Sequence, residues 1–173
     1  MNYATIKKYD TANGPGVRVS LFVSGCTHYC KECFNSEAWD FNYGNSFTDD
    51  TMTELLEAIS KEWIEGVTFL GGEPMNPRNV GKVSEIIQKI RCNYPNKNLW
   101  VYSGYTLDEL LERAKTESAV RSVLRNIDVL VDGRFMIDKK DLKLRFKGSS
   151  NQRIIDMKYF LKTNEIKEPE MPT

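Results

Sequence analysis

Three of the chain's four cysteines, Cys26, Cys30 and Cys33, fall within one eight-residue stretch with the spacing Cys-x3-Cys-x2-Cys. Cysteines grouped this tightly belong to metal binding or redox chemistry, whereas disulfide frameworks belong to small secreted chains. An electron-transfer [4Fe–4S] cluster takes four cysteines, one for each iron. Three local thiolates with no nearby fourth leave one iron open, as a catalytic cluster requires. Zinc is the competing reading, because three cysteines and a histidine are a standard ligand set. His28, the only histidine, lies between Cys26 and Cys30, which makes it an awkward fourth ligand beside both neighbours. From the triplet alone both metals stand. Cys92, far away in a helical pattern, reads as a small buried residue.

A second group, Gly71-Gly72-Glu73-Pro74, stands between an apolar run and a helical pattern. Two glycines let a ligand approach the backbone closely, and the Glu73 carboxylate can accept hydrogen bonds from a ligand's ammonium group. The same four residues could equally be a plain strand-to-helix turn. A structural zinc has no use for such a loop, whereas a cluster working with an amino-acid-like cofactor uses both groups.

The elements that position these groups follow from periodicity. Val17, Val19, Leu21 and Val23 alternate with Arg18, Ser20 and Phe22 as in a strand, entered through a tight turn at Asn13-Gly14-Pro15-Gly16. A helix from about Thr51 to Ile64 carries Met52, Leu55, Leu56, Ile59 and Trp63 on one face. Val67–Leu70, Leu99–Tyr102 and Ile127–Val131 read as further strands, and Leu142–Phe146 as an edge strand. Asn76-Pro77 predicts the start of a helix bearing Val80, Val83, Ile86, Ile87 and Ile90. Thr106 to Glu109 forms a capping box for the next one, continued or followed by a helix carrying Val120, Val123 and Leu124. A last helix is expected from about Gln152 to Leu161. Strands separated by helices imply βαβ units, an α/β fold with a mostly parallel sheet. The cysteine loop, the Gly71–Pro74 loop, Ser103-Gly104-Tyr105 and Asp132-Gly133-Arg134 each follow a strand, so they should meet at the carboxyl edge of the sheet, where ligands bind in such folds.

Composition narrows the classes. The 173 residues are 40% hydrophobic and 28% charged, ordinary for one globular domain. Twenty-four basic and 24 acidic residues balance, so no global field draws nucleic acid or an anionic membrane. No run approaches the roughly 18–20 apolar residues of a membrane span, and the N-terminus lacks a signal-peptide pattern. A cytoplasmic protein with one domain over residues 1–161 and a flexible tail over 162–173 is expected.

With these residues in place, the chain resembles the radical S-adenosylmethionine (SAM) superfamily, whose signature is this cysteine spacing followed by a Gly-Gly-Glu-Pro loop. Within it the likeness is to the activases of glycyl-radical enzymes, those of anaerobic ribonucleoside-triphosphate reductase above all. It runs from Met1 to about Arg153 through Leu21–His28, Cys33-Phe34-Asn35, Leu99–Tyr105, Val129–Phe135 and Arg145–Arg153. The resemblance implies an incomplete parallel βα barrel, a [4Fe–4S] cluster on Cys26, Cys30 and Cys33, and SAM chelating the open iron. It implies SAM contacts from Gly71, Gly72 and Glu73 to the amino group, from the backbone at Glu32, Cys33 and Phe34 to adenine, and from Ser103, Asp132 and Arg134 to ribose or carboxylate. Strand-end polar residues such as these last three serve equally often as helix caps or as each other's partners. Superfamily members commonly carry an aromatic just before the third cysteine; here that residue is Glu32, and the aromatic is Phe34.

The implied activity is one-electron cleavage of SAM to methionine and a 5′-deoxyadenosyl radical that takes hydrogen from a glycine of the large reductase subunit. A strong reductant such as reduced flavodoxin is implied as electron donor, because iron–sulfur potentials span about −700 to +450 mV and this task needs the low end. Lys143, Arg145, Lys147 and Arg153 form a basic patch that reads as a solvated face or as a dock for the partner's glycine loop. The alternatives are an activase of another glycyl-radical enzyme such as pyruvate formate-lyase, or a non-catalytic zinc-binding adaptor.

Overall fold

A computed structural model describes residues 1–172 of the chain. The strands are β1 (Asn2–Asp10), β2 (Val17–Val23), β3 (Asn45–Ser46), β4 (Ile64–Gly71), β5 (Asn98–Ser103), β6 (Val129–Asp132) and β7 (Arg153–Asp156). The α-helices are α1 (Asp49–Ile59), α2 (Val80–Asn93), α3 (Leu107–Ala114), α4 (Ser118–Asn126) and α5 (Met157–Thr163). All strands join one sheet in the order β3-β1-β2-β4-β5-β6-β7. The central four, β2-β4-β5-β6, run parallel, and antiparallel strands flank them on both sides. The result is an α/β fold on a mixed, mostly parallel sheet.

Alternation along the strands divides the apolar residues between two faces. Val19, Leu21, Val67, Phe69, Leu99, Val101 and Leu130 point into the main core, where they meet Leu55 and Ile59 of α1, Ile86 and Ile90 of α2, Leu110 of α3, Val123 of α4 and Phe160 of α5. Every α-helix therefore covers the same sheet face. The opposite face carries Trp100, Val129, Val131 and Ile154, roofed by Phe146 and Met171 rather than by a helix. At the amino ends of the strands on that face lies Arg18, fully buried. Its guanidinium donates to Thr68 Oγ1 (2.9 Å), Val67 O (3.2 Å), Asn98 O (2.9 Å) and Pro15 O (3.2 Å). Burial pushes its pKa down to about 10, against the opposing pull of Tyr102, Asp128, Glu65 and Asp10.

Several expected elements differ. Segment 142–146 is no strand: Leu142 is 87% exposed, and β6 pairs instead with β7. Phe146 has a left-handed φ of 60° and sets its ring edge-on to Trp100 at 5.6 Å, so of the alternating Leu142, Leu144 and Phe146 the last serves as a roof, and none joins a ladder. The expected helix from Gln152 begins only at Met157, because Ile154 and Ile155 face opposite sides of the sheet and Asp156 then caps α5 through Tyr159 N–H at 2.9 Å. Helix α1 stops at Ile59 rather than running on to Ile64, which opens β4. Helix α2 starts after Asn79, while Asn76 makes a local turn by accepting from Arg78 N–H at 3.0 Å. Cys92 is exposed, not buried. The Thr106–Glu109 capping box forms as read.

Residues beyond α5 lie along the body: Lys167 O accepts from Asp156 N–H at 2.9 Å, and Pro172 O accepts from Arg145 at 3.2 Å. The last residue of the expected tail, Thr173, lies outside the described residues. Among the described residues no helix is long and apolar enough to cross a membrane.

Candidate functional site

The four strand-end groups meet at the carboxyl edge of the parallel strands. Gly72 N–H donates to Val23 O at 2.7 Å and Glu73 N–H to Gly25 O at 2.8 Å, which joins the β4 loop to the cysteine loop by backbone alone. Asn79 adds a clasp from the start of α2, its Nδ2 donating to Ser24 O and Glu73 O, both at 3.0 Å. The glycine pair is explained by this joint. Gly71 has φ of 105°, and a Cβ on Gly72 would lie 2.6 Å from Gly25 O. In the structure, the close approach that the glycines permit is made by the cysteine loop.

Glu73 is 1% exposed and lies at the centre of the site. Its Oε1 accepts from Met75 N–H (2.9 Å) and the Ser103 hydroxyl (2.8 Å); its Oε2 accepts from Gly104 N–H (2.7 Å) and His28 Nε2 (2.8 Å). A carboxylate offers about four acceptor positions, and all four are engaged by the chain. The carboxylate therefore ties together the ends of β2, β4 and β5.

The cysteine loop is coiled tightly. Tyr29 and Glu32 both adopt left-handed φ, 50° and 58°, which is strained for residues with side chains. Gly25 N–H and Cys26 N–H bind Ala38 O and Trp39 O, and Cys33 N–H turns back to Cys30 O. Cys26 is buried, while Cys30 and Cys33 are half-buried. Burial pushes the Cys26 thiol up to about 11, the His28 backbone N–H opposes that, and the nearby Glu73, Cys30 and Cys33 charges add to it. Burial, then Cys33, also raises Cys30, against a hydrogen bond from Phe135 N–H. A bound cation would favour their thiolate forms. In their present rotamers they do not converge on one point, since among the described residues no three His, Cys, Asp or Glu side chains are gathered for a metal. The donor set nevertheless suits iron–sulfur ligation: three sulfurs on one loop, with the His28 and Phe135 N–H groups favouring the thiolate forms of Cys26 and Cys30.

The remaining candidates are placed as follows. Ser103 binds Glu73 and then accepts from Tyr105 N–H. Asp132 is 1% exposed, accepts from Leu107 N–H at the start of α3 at 2.7 Å, and pairs with Arg153. Both thus act as caps and partners within the edge. Arg134 is exposed, faces Glu109 at 3.4 Å and lies over the Tyr105 ring. Glu32 and Phe34 are exposed, and Phe34 packs on Phe135 with ring centroids 5.3 Å apart. Beside them runs a groove of about 590 Å³ on the helix-free face, lined among others by Phe22, Phe34, Leu70, Tyr102, Phe135 and Phe146. In the basic patch, Arg153 is taken by Asp132 and Lys147 by Gln152 O.

Sequence reasoning missed three organisers. The sequence offers His28 as a zinc ligand and as part of a family stretch, Gln152 as a helix start and as part of another, and gives no sign of Asn79. Gln152 Oε1 accepts from Gly148 and Ser149 N–H while its Nε2 donates to Gly133 O, which binds the Gly148–Arg153 segment to the end of β6. Nothing in the chain near any of the three marks its partners, which lie far off in sequence or on the backbone.

Comparison with known proteins agrees with this chemistry. The family described as a 4Fe-4S single cluster domain matches residues 12–155. A protein of Pasteurella multocida is 40% identical over 156 residues, 89% of this chain and 96% of its own length. One of Escherichia coli is 41% identical over 154 residues, 88% and 96% of the two chains. One of Haemophilus influenzae is 39% identical over 156 residues, 89% and 97%. All three are named anaerobic ribonucleoside-triphosphate reductase-activating protein.

Proposed function

The chain belongs to the family of anaerobic ribonucleoside-triphosphate reductase-activating proteins, and on that footing we propose that it generates the glycyl radical of such a reductase at an iron–sulfur cluster held by Cys26, Cys30 and Cys33. When bound, a [4Fe–4S] cluster supplies the single low-potential electron that cleaves SAM into methionine and a 5′-deoxyadenosyl radical able to take hydrogen from a glycine.

The chain's own residues orient and enclose. The cysteines sit on a loop fixed by Ala38 O, Trp39 O and Glu73 N–H, so the sulfurs are presented from one rigid edge. Gly71 and Gly72 offer backbone groups to the amino end of SAM, with Glu73 holding their loop in place. Phe34 lines the groove, and with its chain neighbours Glu32 and Cys33 it is the side expected for adenine; Ser103, Asp132 and Arg134 stand at the strand ends expected toward ribose and carboxylate. We read the helix-free sheet face as the interior of an incomplete βα barrel. Its groove is open enough for a protein loop. A flavodoxin-like donor, a cytoplasmic setting, and a single domain with its last residues laid along the body complete the reading.

One observation carries the proposal: the cysteine loop and the Gly-Gly-Glu-Pro loop are hydrogen-bonded to each other at the carboxyl edge. The test is to reconstitute the protein anaerobically, add dithionite and SAM, and measure 5′-deoxyadenosine with and without the reductase, using Cys30→Ala as control. Product in the wild type and none in the control is expected. A protein with a full cluster and no product even with the reductase present would overturn the proposal.

A further inference from the structure

We propose that His28 is a positioning residue, holding the span between Cys26 and Cys30 in register with Glu73 and the carboxyl end of β5. The inference rests on the proposed cluster only for its reconstituted readouts.

Upstream, the loop is pinned through the backbone of Gly25 and Cys26. Downstream, the turn from Cys33 N–H to Cys30 O fixes it. Between these anchors lie Thr27, held by one 3.2 Å bond from Asn76, and Tyr29 in its left-handed conformation. Tyr29 leans outward on Trp39, with ring centroids 5.2 Å apart, so the inward restraint has to come from its neighbour.

His28 supplies it. The side chain is 6% exposed, its Nε2 stands 2.8 Å from Glu73 Oε2, and its ring meets Tyr105 edge-on at 4.5 Å. The imidazole also fills the place of a side chain at position 104: a Cβ there would lie 2.4 Å from His28 Cδ2. Gly104 is thus glycine to admit the ring, and its own N–H binds the same Glu73 oxygen. Two strand ends and the middle of the cysteine loop share one carboxylate. A charge-assisted bond of this kind, buried on both sides, is among the stronger ones available to a loop. His28 is engaged toward Glu73 and acts through the loop it holds.

The test compares His28→Ala, His28→Phe and His28→Gln in the full-length chain. Phenylalanine keeps a ring against Gly104 and Tyr105 but removes the donor; glutamine keeps a donor for Glu73. In metal-free protein, the rate at which a thiol reagent labels Cys30 and the amide exchange of residues 27–31 should rise about tenfold in the Ala and Phe variants, as expected from loss of one such bond. The Gln variant should stay within about threefold of wild type on the same grounds. After reconstitution with iron and sulfide, the Ala and Phe variants should hold less iron. The electron paramagnetic resonance spectrum of their reduced cluster with SAM should broaden, while Gln restores the wild-type spectrum.

A Phe variant with wild-type melting temperature, labelling rate and exchange would overturn the proposal, as would wild-type rates restored by Phe but not by Gln. Should His28→Ala fail to fold, Phe and Gln decide. Should the wild type itself bind no iron, the proposed function fails, and the metal-free rates still decide the role of His28.

Discussion

Replacing Glu73 with Gln separates two roles that this carboxylate could play. The substitution keeps the shape and removes the charge and one acceptor end. If the new amide nitrogen takes the Oε2 position it faces Gly104 N–H, and if it takes the Oε1 position it faces Met75 N–H. The Ser103 hydroxyl can rotate and the His28 ring can change tautomer, but neither backbone N–H can become an acceptor. Either orientation therefore leaves one buried donor unpaired, at about 1–3 kcal/mol, and turns the other bonds from charge-assisted to neutral; about 3 kcal/mol in all is expected. For a domain of this size that lowers the melting temperature by roughly 6–12 °C. The assay is thermal or urea unfolding of the metal-free protein, with no ligand present. A carboxylate whose sole task was to meet an external ammonium group would leave the metal-free protein as stable as before. A melting temperature within about 2 °C of wild type, well below the shift worked here, would refute the assignment of Glu73 as an internal tie.

Gly72→Ala should push the two loops apart, because its Cβ would stand 2.6 Å from Gly25 O; a loss of about 1–3 kcal/mol and reduced iron retention are expected, read by urea midpoint and iron content. Asp128 tests the acid side. Burial acts to raise its pKa, but Lys158, the Leu99 N–H and Arg91 outweigh it and hold the group below its ordinary 3.8. A depressed folded pKa gives stability that is full above the unfolded value and lost as pH falls through the folded one. Asp128→Asn should therefore destabilise the fold at pH 7 by about 3 kcal/mol, as for a buried pair broken on one side, read as a lower urea midpoint, and the gap to wild type should narrow below about pH 4. An equal gap at pH 7 and at acid pH would contradict the assignment.

What could be read in advance was local. Cys26, Cys30 and Cys33 announce themselves by spacing, and Gly71–Pro74 by composition, so both halves of the site were legible. Strands β2, β4, β5 and β6 were legible because buried strands are apolar runs between turn residues. Strand β1 was not, since its exposed edge carries Lys7, Lys8 and Tyr9, and polar edges blur the alternation. Segment 142–146 misled for the opposite reason, an alternation with no partner strand to receive it. The hub itself was illegible: His28, Glu73 and Gly104 specify one another through space, and nothing near any of them in the chain points to the other two.

The one-sided coat of helices has a consequence for how the chain is made. Strands β2 to β6 and helices α1 to α4 can assemble from successive neighbours as they leave the ribosome, closing the helical core in order. Trp100, Val129 and Val131 gain the Phe146 and Met171 that roof them from segments which emerge later. A nascent chain that has finished β6 thus carries a folded helical side and a bare apolar strip on the other. That unfinished intermediate is the species most open to association with a second chain or to capture by a chaperone.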